Sequence, residues 1–305
     1  MRVAVTGATG VIGTAAVGAL VATGHNVVGL ARTPDKAAAL DDLGAESWRT
    51  DLFDRDGLVE MFSGCDAVCN LATHVPVGYG AIWPRSWREH DKLHTEGVLR
   101  VLEAAREAGV RRVVQESVSF IYADNGNDWI TERSPLGINR ATEPAAVAES
   151  HVQDYQCSSR QGVVLRLGTI VGNDAITRWH LRSVQHGIPL GIGSPSDWVH
   201  AVHTDDLGSA VVAALEAPSG VYNVGAEPVR WADYVQGYAD AVGKPSGDFM
   251  GPLLRRLSGA RSEPMTRSLR VSSDLFVSHT GWAPRRPAFD ASWFAGVPLR
   301  STAFQ

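Results

Sequence analysis

The opening stretch, MRVAVTGATGVIG, sets Gly7, Gly10 and Gly13 directly behind an apolar run of strand length and ahead of an amphipathic segment. No other feature constrains the fold of this chain as tightly. A strand must give way to a helix within a few residues, the turn must be tight, and the backbone must leave room for a close approach. The mouth of the helix then offers free N–H groups and positive partial charge, a setting suited to phosphate oxygens. A glycine turn alone is common, but one placed between a first strand and a first helix points to a dinucleotide. On this reading Gly7, Thr9, Gly10, Val11, Ile12 and Gly13 form the phosphate cradle.

The pattern that follows agrees with such a turn. Val3–Thr6, Asn26–Leu30, Ala67–Leu71, Arg111–Ser117 and Gly162–Leu167 are apolar runs of strand length. They alternate with amphipathic segments at Val11–Thr23, Pro34–Leu43 and Trp87–Gly109. Strands buried on both faces and covered by crossover helices read this way, so the fold class is α/β, a Rossmann-type doubly wound parallel sheet. After Leu167 the rhythm loosens, with Gly/Pro-rich breaks at 187–196 and 243–252. The expected division is a dinucleotide-binding domain over 1–167 plus about 204–224, and a smaller C-terminal substrate lobe over 168–203 and 225–305.

Charge and cysteine usage narrow the partners. A formal net charge of -5 with no basic block argues against nucleic acid and anionic membrane. Glycines interrupt the N-terminal apolar run, which therefore does not read as a signal peptide, and no apolar stretch is long enough to span a bilayer. Cys65, Cys69 and Cys157 form no CxxC pair and are expected to be buried thiols of a cytoplasmic protein. A small-molecule substrate is the expected partner, and a homodimer is compatible with the chain.

Six stretches in order carry a resemblance: TGATGVIG at the first turn, Asp51-Leu52, Asn70-Leu71-Ala72, VHTDDLGSAVVAAL at 202–215, YNVG at 222–225 and TGWAP at 280–284. Together they resemble the extended, epimerase/dehydratase-like branch of the short-chain dehydrogenase/reductase superfamily. The resemblance spans nearly the whole chain. It implies a nicotinamide dinucleotide, with Asp51 and Leu52 at the adenine and Leu71, Ala72 and Thr73 beside the nicotinamide ribose. An NAD enzyme usually carries a carboxylate at the end of the second strand for the ribose 2′-hydroxyl. Here that slot holds Ala31, and Arg32 follows, a guanidinium able to take a 2′-phosphate bidentately. NADP(H) is therefore the favoured cofactor, with NAD(H) as the alternative.

The resemblance also exposes a gap. The superfamily's usual chemistry needs a Tyr-x-x-x-Lys, the lysine lowering the phenol's pKa while the phenol exchanges a proton as hydride moves. Aligned on Glu149, the tyrosine slot falls at Ala141 and the lysine slot at Ala145, in a proline-started stretch that reads as the first turns of a helix. Lys36, Lys92 and Lys244 are the only lysines, and none has a tyrosine four residues before it. The usual serine slot holds Val118, with Ser117 and Ser119 on either side; if the strand continues, both serines share one face.

The remaining candidates for catalysis are Ser117, Ser119, Tyr122 and His74, the last in the loop that follows the strand-end motif. His94 stands where the family commonly has an asparagine and reads as a helix-face residue. Tyr155 reads as packed on the sheet. His200 and His203 would point to opposite faces of a strand, and Thr204-Asp205-Asp206 reads as a helix cap, so no metal site is expected. Trp83, Trp87, Trp129 and Trp198 fall in loops or helix starts, which suggests a bulky or partly aromatic ligand. Three functions stay open. The first is an NADP(H)-dependent oxidoreductase with a non-standard proton path, acting on a small or medium-sized metabolite such as one of secondary metabolism. The second is a redox-neutral epimerase, dehydratase or cyclase, and the third a non-catalytic NADP(H) sensor with a protein partner.

Overall fold

A computed structural model describes residues 1–251 and 261–298. Its strands are β1 (Arg2–Thr6), β2 (Asn26–Ala31), β3 (Glu46–Arg49), β4 (Ala67–Asn70), β5 (Arg112–Val118), β6 (Gln161–Leu167), β7 (Thr169–Val171), β8 (Trp198–Val199), β9 (Ala201–His203), β10 (Gly220–Val224) and β11 (Val229–Arg230). Seven of them form one parallel sheet in the order β10-β6-β5-β4-β1-β2-β3. From β1 the chain runs outward through β2 and β3, then returns to the other side of β1 as β4. That reversal opens a crevice at the carboxyl ends of β1 and β4, where doubly wound sheets bind ligands.

The covering helices are α1 (Val11–Ala22), α2 (Pro34–Asp42), α3 (Arg55–Phe62), α4 (Arg88–Lys92), α5 (Val98–Glu107), α6 (Glu143–Tyr155), α7 (Ala175–Gln185), α8 (Thr204–Ala214), α9 (Trp231–Ala241) and α10 (Asp274–Thr280). One apolar cluster joins Val3, Val5, Val17 and Leu20 to Leu207 and Val211 of α8. The cluster on the opposite face joins Ala4, Val68 and Val113 to Leu58, Val101 and Leu102. α1 and α8 lie so close that a Cβ on Gly208 would stand 2.3 Å from the Ala15 carbonyl oxygen. Beyond the sheet, β7 pairs with β9 and β8 with β11, above a separate cluster containing Leu181, Trp231, Tyr238 and Trp293.

Several local expectations are corrected. The 87–109 segment is not one α-helix: between α4 and α5, Leu93–Gly97 forms a π-helical turn. Wider turns of this kind recur at functional sites. α6 begins at Glu143, because Pro144 opens it and the Asn139 side-chain oxygen draws in the N–H groups of Ala141 and Thr142 in a preceding turn. Ala141 thus precedes the helix. Cys157 is exposed, whereas Cys65 and Cys69 are buried. The cap of α8 is His203, whose Nδ1 accepts from the Asp205 N–H at 3.1 Å, not Thr204.

Asp206 has a different task. Its carboxylate accepts from the backbone N–H groups of Arg285 and Arg286, at 2.6 and 3.2 Å, and so ties the VHTDDL and TGWAP stretches together. Asn223 of the YNVG stretch is a similar anchor, bonded to Tyr122, Glu132 and Ser272.

His200 is buried, and neither ring nitrogen has a hydrogen-bond partner among the described residues. Burial lowers its pKa from 6.5 to about 3. The unfolded chain takes up that proton near the ordinary value and the folded one resists it. Stability linked to His200 is therefore complete above about pH 6.5 and is lost as pH falls toward 3. His200→Leu should remove this term, so its stability relative to the parent should be higher near pH 5 than near pH 8 by roughly 2 kcal/mol. Thermal melts at the two pH values test this, and an equal difference at both would refute it.

Candidate active site

A cavity of 520 Å³ occupies the crevice. Gly7, Thr9, Gly10, Val11, Ile12, Arg32, Asp51, Leu52, Leu71, Ala72 and Thr73 all line it, so the structure brings together every residue read as cofactor-binding except Gly13. Gly13 serves the turn instead: a Cβ there would stand 2.1 Å from the Gly7 carbonyl oxygen. Gly7 has a φ of 66°, and a Cβ on it would fall 2.4 Å from the Leu71 carbonyl oxygen. No side chain caps α1 and no acid stands in its first turn, so its leading N–H groups are free to meet an anion. These features fit a dinucleotide diphosphate. At the β2 end, Ala31 presents no carboxylate, while Arg32 and Lys36 face the cavity. Arg32 keeps only a loose 3.6 Å pairing with Glu89.

Below the cavity floor the sheet carries a polar chain. Thr6 Oγ1 donates to Asn70 Oδ1 at 2.5 Å, Asn70 Nδ2 to Gln115 Oε1 at 2.7 Å, and Gln115 Nε2 to the Glu116 carbonyl at 2.8 Å. These bonds satisfy the polar side chains that interrupt three adjoining strands.

Ala141 and Ala145, read from the sequence as the tyrosine and lysine slots, both line the cavity. Ser117 lines it too, but Ser117 Oγ donates to Glu149 Oε1 at 2.6 Å. Glu149 is fixed in turn by Arg166, whose Nε and Nη2 donate to its two oxygens at 2.9 and 2.6 Å. A hydroxyl has one proton, so Ser117 faces the cavity as an acceptor.

The strand expectation for the two serines fails at this point. β5 ends at Val118 and a 3₁₀ turn over Ser119–Ile121 breaks the alternation. Ser119 is buried and, unlike Val118 and Phe120, does not line the cavity. Tyr122 is also buried away from it, its hydroxyl donating to Asn223 Oδ1 at 2.7 Å, and burial pushes its pKa up to about 12. Tyr155 donates to the Val110 carbonyl at 2.5 Å, as expected of a tyrosine packed on the sheet.

His74 borders the cavity half-exposed, with Nδ1 3.9 Å from Glu89. Of the four singled-out tryptophans only Trp87 lines the cavity. Trp83 is exposed, and Trp129 and Trp198 hold Arg270 and Arg230 over their rings elsewhere. Among the described residues no group of three metal-ligating side chains gathers, and no helix is long and apolar enough to cross a membrane.

Sequence reasoning missed the most heavily charged part of the wall. Glu116, in the centre of β5, is buried and lines the cavity, with Oε1 2.7 Å from His94 Nε2. His90 lies one turn before His94, its ring centre 4.3 Å from that of His94. A carboxylate within the apolar run VVQES was the available signal, since a lone charge there would be costly.

Comparison with known proteins agrees with this geometry. The profile of the NAD dependent epimerase/dehydratase family matches residues 3–225. The 3-diazoavenalumate denitrifying reductase of a Streptomyces species is 31% identical over 97% of this chain and 99% of that protein. The UDP-glucose 4-epimerase of Thermus thermophilus, solved with NAD, superposes with a TM-score of 0.72 at 25% identity, covering 93% of this chain and 94% of the other. The Bifidobacterium longum UDP-glucose 4-epimerase, solved with NAD+ and UDP, shares the fold with a TM-score of 0.76 at 19% identity, covering 98% and 97%.

Because Glu149 and Arg166 are both buried, removing one strands the other. Arg166→Met should cost about 3–5 kcal/mol in denaturant unfolding, and adding Glu149→Leu should recover most of that loss. An Arg166→Met protein as stable as the parent would show that the pair does not hold α6 to the sheet.

Proposed function

Since the chain belongs to the NAD-dependent epimerase/dehydratase family, and is a nicotinamide-dinucleotide enzyme of that fold, we propose that it is an NADPH-dependent reductase acting on a diazo-substituted aromatic acid and releasing dinitrogen. The observation that carries this reading is the wall at Ala141, Ala145 and Ser117, which offers no proton to a substrate oxygen. A carbonyl that accepts hydride builds negative charge and needs a donor in place. An aryldiazonium is already positive, and hydride neutralises it. Acceptors such as the Ser117 hydroxyl and the Glu116 carboxylate suit that charge. The full-length relative described as a denitrifying reductase supports the same chemistry.

When bound, the reduced nicotinamide supplies the hydride. Gly7, Gly10 and the start of α1 would hold the diphosphate, Asp51 and Leu52 the adenine end, and Leu71, Ala72 and Thr73 the nicotinamide ribose. Arg32, helped by Lys36, would bind the 2′-phosphate that distinguishes NADP(H). The aromatic ring would rest against Trp87, Phe120 and Ile170, with Asp174, Ile176, His180, Pro264 and Met265 closing the seat. Ser117 keeps an acceptor's role, His74 borders the mouth, and Ser119 and Tyr122 take no part.

Two measurements test the proposal. Mixing the protein with NADPH and a diazotised aminohydroxybenzoate should oxidise the cofactor well above the uncatalysed rate, with one dinitrogen released per NADPH, and should leave UDP-glucose unchanged. Tight NADPH binding without such oxidation would overturn it. Arg32→Glu should weaken NADPH binding by about 10-fold or more in calorimetry while leaving NADH binding little changed, as expected for loss of a charge-assisted contact. Equal weakening of both cofactors would remove Arg32 from the 2′-phosphate site.

A further inference from the structure

We propose that His94 and Glu116 form the proton-handling pair of this cavity, moving one proton from nitrogen to the aromatic ring carbon as dinitrogen leaves. The inference rests on the diazo reading above and deepens it. A buried histidine and carboxylate packed against each other are costly, and apolar side chains of similar size would fill the space as well. Here both groups open onto the cavity, and the π-helical turn Leu93–Gly97 carries His94 to the end of β5. His94 Nδ1 is anchored by the His90 carbonyl at 3.0 Å, so Nε2 is the nitrogen turned to Glu116, 2.7 Å away. His94 thus holds Glu116 by one oxygen, and a carboxylate has a second oxygen able to take up a proton.

The surrounding charges place the positive charge on His94. Burial opposes protonation of His94, but Glu116, the His90 carbonyl and Asp91 outweigh it and raise its pKa. His90 goes the other way: burial first, then His94, Arg261 and His74, lower its pKa to about 3. His90 and Asp91 approach from α4, Glu116 from β5, His74 from the loop after β4, and Arg261 from beyond α9, paired with Asp91 at 2.5 Å. At neutral pH the cluster therefore holds a neutral His90 beside a His94 whose proton affinity Glu116 raises.

The chemistry balances on that pair. Hydride from the reduced nicotinamide adds to the terminal nitrogen of the diazonium and gives an aryl diazene, Ar–N=N–H. Glu116 takes the N–H proton, and the electrons of that bond complete the N≡N bond. The C–N bond breaks with its pair on the ring carbon, and Glu116 passes the same proton to that carbon. His94, 2.7 Å away, holds the carboxylate in place through both transfers. The sum is one diazene converted to one arene and one dinitrogen, with no net change in the protein.

Deuterium on the transferring position of NADPH tests the relay, because a buried pair returns the label to carbon whereas exchange with water discards it. The parent should yield deuterated arene in ordinary water. His94→Asn and Glu116→Gln should reduce the label to the exchange background and kcat by about 10²-fold or more, with NADPH binding unchanged in calorimetry. Glu116→Asp should recover part of both. The parent's kcat should fall as pH rises through the raised His94 pKa, and in Glu116→Gln that fall should move to lower pH. An imidazole NMR titration of cofactor-free protein should show the same shift. Turnover, label and pH profile preserved in both variants would overturn the pair alone. NADPH binding with no diazo turnover by the parent would overturn the substrate assignment, and this step with it.

Discussion

The approach of Gly7 to the Leu71 carbonyl holds the site together. A Cβ on residue 7 would lie 2.4 Å from that oxygen, so the first turn and the end of β4 can meet only because the side chain is absent. The contact joins the two strands at which the sheet order reverses, and so sets the width of the crevice. With Gly13 drawn against the Gly7 carbonyl, the same turn aims the first N–H groups of α1 into the cavity. The cavity-lining residues Leu71, Ala72 and Thr73 follow directly after the strand that this contact positions.

A second constraint is how the fold supports polar groups beneath a hydrophobic sheet. Thr6, Asn70 and Gln115 satisfy one another across β1, β4 and β5. Ser117, Glu149 and Arg166 do so across β5, α6 and β6. The second network holds α6 to the sheet and commits the serine proton, so Ser117 presents an acceptor to the cavity.

Where sequence reading succeeded, the signal was local. The strand and helix periods and the glycine turn can be seen in short stretches, because each depends on neighbours within a few residues. It failed where neighbours were distant. Ser119 and Tyr122 lie two and five residues from Ser117, yet a single 3₁₀ turn removes them from the cavity. Among the tryptophans, composition gave no means of separating Trp87 at the cavity from Trp129 and Trp198, which are held under arginines elsewhere.

By itself, then, the order of residues determined the parallel sheet and the glycine turn between β1 and α1, since backbone geometry is settled within a turn or a strand. Only the tertiary structure decided that Glu116 meets His94, that the proton of Ser117 belongs to Glu149, and that Tyr122 belongs to Asn223. Those partners are separated by 22, 32 and 101 positions along the chain. The state of a proton in a cavity depends on which group the fold brings within three ångströms of it, and periodicity carries no record of that.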